Sequence, residues 1–171
     1  MITAYLSLGS NLGDRERRLH DALGILEDDR LRVTRVSRIY ETEPVGAGYA
    51  GEPWFLNLAA EIETSLTPME LLARARQVEA ALGRRRGGGD EARTIDIDIV
   101  LYGELALETP ALRIPHPRMA ERRFVLEPLA ELAPDLRHPL LGKTIRELVR
   151  ETMDQRVVPY SRNRTAGDGS Y

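Results

Sequence analysis

The 171-residue sequence contains no cysteine. Disulfides, zinc–thiolate sites and thiol nucleophiles are thereby excluded, and a reducing compartment is compatible. No apolar run is long enough to cross a membrane as a helix. The amino-terminal MITAYLSLGS lacks the basic stretch that opens a secretion signal and reads as a strand. A cytoplasmic location with no membrane partner is expected. A large excess of either charge is also missing: the net is −3, so the surface as a whole does not attract nucleic acid, and no such partner is expected. Lysine occurs once, at Lys143, and the other basic side chains are arginines. The length fits one domain, expected over 1–160, with a core that needs no staples. The polar SRNRTAGDGSY of 161–171 is expected to be a disordered tail.

Apolar spacing supplies the elements. Ile2, Ala4, Leu6 and Leu8 alternate as in a strand. Leu19, Ala22, Leu23 and Leu26 recur at helix spacing, with Asn11 or Asp14 as the cap. Residues 31–41 read as one strand with a bulge, and WFLNLAAEIET as the next, with Leu56, Leu58, Ala60 and Ile62 on one face and Phe55, Asn57 and Ala59 on the other. Thr67, Pro68 and Glu70 form a capping box that opens a second helix, whose apolar stripe is Leu71, Leu72, Ala75, Val78 and Leu82 and whose stop is Gly83. The strand RTIDIDIV follows. The order β-α-β-β-α-β predicts an α+β, ferredoxin-like sandwich with helices on one face of a mostly antiparallel sheet. Downstream, LRIPHP predicts a short strand, and Phe124–Leu132 and GKTIRELVRE short helices.

RTIDIDIV is an unusual strand. Ile95, Ile97, Ile99 and Leu101 alternate, and the Ile-rich pattern predicts an interior strand. Asp96 and Asp98 then share its other face, about 6.5–7 Å apart, and repel by about 2.5 kcal/mol at an effective dielectric near 20. A solvated outer face is one reading of such a pair. A divalent cation is the other, because it turns the repulsion into attraction. Oxygen ligands without cysteine favour Mg²⁺, which takes one or two carboxylates plus substrate phosphates. Two adjacent carboxylates suit two ions clamping a phosphoryl group.

Just upstream, GRRRGGGDEAR places Arg84, Arg86 and Arg93 around a run of glycines. Read alone it is a solvated charge run, but it leads into the Asp strand, and guanidinium groups suit phosphate oxygens. It lacks the Gly-Lys-Ser/Thr ending of a P-loop. Phe55 and Asn57 lie on the face expected to carry Asp96 and Asp98, and a ring plus an amide suits a planar heterocycle. IPHPRMAERRFVLEPL adds His116, between two prolines, with Arg122 and Phe124. The Gly/Pro-rich 42–53 loop and the 84–92 loop are expected to close over substrates.

With YLSLGSNLGDR, YETEPVG, FLNLAAEIETSLTPMELL, VEAALGRRR, ARTIDIDIVLYG and IPHPRMAERRFVLEPL in this order, the sequence resembles the 6-hydroxymethyl-7,8-dihydropterin pyrophosphokinase family over about 1–150. The resemblance implies the ferredoxin-like fold and transfer of pyrophosphate from ATP to the pterin hydroxymethyl group, with release of AMP, in folate biosynthesis. It implies two Mg²⁺ ions on Asp96 and Asp98, and a pterin held by Thr42, Val45, Phe55, Asn57, Asp96 and Phe124. ATP would meet Glu79, Arg84, Arg86, Arg93, His116 and Arg122, with Arg84 and Arg93 acting in catalysis beside the aspartates. Small-molecule substrates and a monomer are expected. One departure stands out: the family pattern before the Asp strand is Arg-Trp-Gly-Pro-Arg, where this chain reads GGDEAR. Two other readings compete. A nucleotidyltransferase would keep Gly9-Ser10 close to its Asp-x-Asp, whereas here two helices and two strands intervene. An RNA-binding module would not place Asp96 and Asp98 on a face that meets phosphate.

Overall fold

The computed structural model describes residues 1–43, 54–83 and 95–162. At its centre, β1 (Ile2–Ser10) runs antiparallel to β4 (Phe55–Thr64) on one side and to β5 (Asp96–Tyr102) on the other. The far side of β4 pairs with both β2 (Leu31–Val36) and β3 (Tyr40–Thr42). A last strand, β8 (Val157–Pro159), adds to β3. The helices α1 (Arg15–Leu26) and α2 (Pro68–Ala81) complete the expected β-α-β-β-α-β order. No helix among the described residues is long and apolar enough to cross a membrane.

Local chemistry explains where the helices start and stop. Asp14, rather than Asn11, caps α1 by accepting the Arg17 N–H. The Thr67–Glu70 capping box and Pro68 open α2 as expected. Past its end Gly83 takes φ +90°, a conformation open to glycine at little cost. Leu19, Ala22 and Leu26 of α1, with Leu71, Ala75 and Val78 of α2, bury against Ala4, Leu6, Leu8, Leu56, Leu58, Ala60 and Ile62.

Four expectations change. Residues 31–41 form two strands, because the chain leaves regular pairing at Ser37, whose Oγ and N–H bond the backbone of Ala59 in place of a continued ladder. Helices lie on both faces of the sheet. The second layer holds α3 (Arg123–Leu132) and α4 (Ile145–Arg150), packed on Tyr5, Ala59, Val100 and Leu101. The Asp strand β5 is an edge strand, not an interior one. Its isoleucines reflect cover on its faces rather than neighbours on both sides, and its outer edge is occupied. The buried Glu79 carboxylate accepts the Ile97 N–H at 2.9 Å, and the His116 N–H bonds the Val100 carbonyl at 3.0 Å. Finally, Leu101 leaves the isoleucine face: a register shift against β1 pairs Leu101 with Tyr5 and Ile99 with Leu6, turning Leu101 into the second layer.

The small hairpin of β6 (Leu107–Glu108) and β7 (Arg113–Ile114), with a cis Ile114–Pro115 bond, delivers His116 beside β5. Of the expected tail, Arg162 is described and makes a two-point ion pair with Glu16; residues 163–171 lie outside the described part.

Candidate active site

Strand register assembles the site. Gly9 faces Asn57 on β4 and Asp96 on β5, Ser7 faces Ala59 and Asp98, and Thr42 faces Phe55. Since cross-strand partners share a face, Asp96, Asp98, Asn57, Phe55 and Thr42 all line the side opposite α1 and α2. At the Tyr5 end this side is covered by α3 and α4. Towards Gly9 it carries the polar groups.

Asn57 is buried and held. Its Nδ2 donates to Thr42 Oγ1 at 2.5 Å, and its Oδ1 lies directly above Gly9, 2.7 Å from where a β-carbon would stand. Glycine is required there for space, because no side chain fits between the amide and the strand. The result is that the amide closes onto the β1 backbone, across from which Asp96 stands on β5. Asp98 stands across from Ser7 on β1.

The border of this face comes from the segment after β7. His116 is half-buried, and its Nδ1 accepts the Arg118 N–H at 3.2 Å, which leaves Nε2 to carry the proton. Burial lowers its pKa below 6.5. Arg122 and Arg118 push the same way, and Asp96 opposes them. A neutral imidazole that donates from Nε2 follows. Arg122 precedes α3, its guanidinium 5.5 Å from the centre of the Phe124 ring. Phe124, in the first turn of α3, then faces a cavity of about 210 Å³ lined by Thr42, Glu43 and residues Asp154, Gln155, Arg156 and Val157.

The predicted residues Thr42, Phe55, Asn57, Asp96 and Asp98 thus come together, with His116, Arg122 and Phe124 at their border. Glu79 is not on this face; it reaches the outer edge of β5 from α2. Val45, Arg84, Arg86, Arg93 and both proposed closing loops, apart from Thr42 and Glu43, lie outside the described residues. Sequence reasoning missed Gly9, although a glycine inside a strand is a known mark of close approach. It also missed the turn at 154–157, for which nothing local gave a signal. Trp54, given no role from sequence, lies under the Arg156 guanidinium at 5.4 Å and accepts from Arg15 through its carbonyl at 2.6 Å.

The donor set fits Mg²⁺. Among the described residues no group of three acidic or histidine side chains converges. Two carboxylates on one face suit an ion that draws its other ligands from water and phosphate.

The family model for 7,8-dihydro-6-hydroxymethylpterin-pyrophosphokinase (HPPK) matches residues 5–134. The chain belongs to this family. It is 52% identical over 130 residues to the 2-amino-4-hydroxy-6-hydroxymethyldihydropteridine pyrophosphokinase of Bacillus subtilis (strain 168), a match covering 75% of this chain and 77% of the relative. The enzyme of the same name from Aquifex aeolicus (strain VF5) is 38% identical over 151 residues, covering 88% and 92%. Among solved structures, an HPPK-DHPS crystallised in complex with substrates superposes with a TM-score of 0.71 at 14% identity, which speaks for the fold. That superposition covers 90% of this chain and 43% of the longer one.

Proposed function

We propose that the family's reaction takes place on the sheet face opposite α1 and α2, with Asp96 and Asp98 at the phosphates and Asn57, Thr42, Phe55 and Phe124 at the pterin. The reaction moves pyrophosphate from ATP to the hydroxymethyl oxygen of 6-hydroxymethyl-7,8-dihydropterin and releases AMP, a step of folate biosynthesis. The observation that carries these roles is the cross-strand row Asp96–Gly9–Asn57: an anionic group and an amide stand on either side of a glycine whose missing side chain lets the amide close onto the strand.

Asp96 and Asp98 would hold Mg²⁺, two ions in this reading, which supplies positive charge to the phosphates and polarises the attacking hydroxyl. The protein's part is positioning and electrostatics. Phe55 and Phe124 stack the pterin, with Val45 beside it, and the Asn57 amide reads its edge. His116 donates from Nε2 to a phosphate or ribose oxygen, and Arg122 adds a guanidinium. Arg84, Arg86 and Arg93 serve the phosphates, Arg84 and Arg93 as charge develops on them. Glu79 acts at the nucleotide through the edge of β5, which it holds.

The test is product analysis with ATP, Mg²⁺ and the reduced pterin alcohol. AMP is expected, and ADP as sole product overturns the reading. Asp96→Asn and Asp98→Asn should each lower turnover by several orders of magnitude while the protein stays folded. Near-normal turnover in either removes that carboxylate from the metal site.

A further inference from the structure

Helix α3 starts without a cap of its own. The residue at the cap position is Arg122, whose side chain makes no capping hydrogen bond. Serine, threonine, aspartate or asparagine there would accept one of the unpaired N–H groups of the first turn. An arginine cannot accept, and Arg122 instead lies over the Phe124 ring.

The missing acceptor comes from 32 residues downstream. Gln155 Oε1 accepts the Arg123 N–H at 3.0 Å. Its Nε2 donates to the Glu121 carbonyl at 2.6 Å, and its own carbonyl accepts from Arg123 Nη1 at 2.7 Å. One side chain therefore clasps the backbone on both sides of Arg122. The turn that carries it is fixed to the rest of the site: Val157 pairs with Thr42 in the β3–β8 ladder, and Arg156 lies over Trp54. Residues 154–157 also form one wall of the cavity against Phe124 and Thr42. The 154–157 turn itself lies beyond residue 134, where the family match ends, whereas the residues it holds lie within the match.

We propose that Gln155 is a positioning residue for the substrate site: it caps α3 from outside the helix and so sets Phe124 against the cavity, with Arg122 over its ring. The arrangement frees the cap position to present a cation. A residue at 122 that capped the helix itself would have its side chain turned back onto the backbone. The proposal rests on the reading of Phe124 and Arg122 as substrate contacts.

Two substitutions in the full chain separate the bonds. Gln155→Glu keeps an acceptor for the Arg123 N–H. Gln155→Lys keeps a donor for the Glu121 carbonyl, on a side chain one atom longer, but cannot cap. KM for the pterin, KM for ATP and kcat are measured together with thermal melting. Gln155→Lys is expected to raise the pterin KM by roughly ten- to a hundred-fold, with kcat changed less, and Gln155→Glu, which keeps the cap but loses the donor to the Glu121 carbonyl, to raise it less. A purely structural role would lower the melting temperature and the active fraction and leave KM alone. Equal pterin KM values in parent, Gln155→Glu and Gln155→Lys overturn the proposal, as does an equal rise in both variants. If Gln155→Lys does not fold, Gln155→Ala takes its place with the same readings. Phe124→Ala tests the underlying assignment separately. A parental pterin KM in that variant refutes the site reading, whereas a raised one beside an unaffected Gln155→Lys refutes the cap alone.

Discussion

Gly9→Ala is the smallest change that should disable the proposed pterin side of the site. Gly9 sits in extended backbone without a positive φ, so an alanine meets no conformational obstacle. Removing a glycine from the unfolded chain would by itself stabilise by about 0.4–1 kcal/mol. The obstacle is steric. The added methyl would stand 2.7 Å from Asn57 Oδ1 and 3.8 Å from Phe55 Cδ1, where ordinary contact begins near 3.4 Å. The amide must retreat by about 0.7 Å in a packed setting. Asn57 is buried, and its other end is tied to Thr42, so the movement strains or breaks that hydrogen bond. Overpacking costs about 1–3 kcal/mol, which outweighs the backbone gain. The melting temperature should fall by roughly 2–4 °C for each net kcal/mol. If Asn57 orients the pterin as proposed, a sub-ångström displacement of its amide should lower kcat/KM for the pterin by roughly ten- to a hundred-fold, while ATP affinity, assigned in the proposal to the Asp96 side of Gly9, should stay unchanged. Steady-state kinetics with each substrate varied, and calorimetric titration with each, provide the readings. An unchanged pterin KM together with a raised melting temperature would mean that only the backbone effect operates, and would refute the steric argument.

Two further outcomes follow from the same structure. Glu61 receives hydrogen bonds from Arg35, Thr34 and Tyr5, and Arg35 above all holds its pKa down, from 4.5 to about 2. The unfolded chain therefore binds a proton here before the folded one does, so stability present above about pH 4.5 is lost as the pH falls towards 2. Acid unfolding of Glu61→Gln should be shallower than that of the parent across this range, and identical slopes would show that Glu61 does not titrate this way. Glu79→Ala should leave the buried Ile97 N–H without its acceptor at a cost of about 1–3 kcal/mol, visible as a lower denaturant midpoint. An unchanged midpoint would show that the bond contributes nothing to holding β5.

Much of this was legible in the sequence because it depends on neighbours along the chain. The Thr67–Glu70 capping box, the Gly83 stop and the alternation of Phe55 and Asn57 against Leu56 and Leu58 are local patterns, and each appears where its spacing places it. The same alternation put Asp96 and Asp98 together on one face of one strand. The order of elements then sufficed for the fold class. Patterns failed where cover came from elsewhere in the chain. An edge strand covered on its faces and stopped at its rim by Glu79 and the His116 segment reads like an interior strand, and a bulge that moves Leu101 to the other face leaves no mark in an apolar run.

By itself, then, the sequence determined which side chains alternate to which side of each strand, where helices begin and end, and a carboxylate pair suited to a divalent cation. Only the tertiary structure decided which faces meet. The register of β1 between β4 and β5 set Asn57 and Asp96 on either side of Gly9, and a turn near the end of the chain supplied the cap that α3 lacks. Those relations join residues tens of positions apart. They are settled by strand pairing and side-chain packing across the core, and no periodicity along the chain records them.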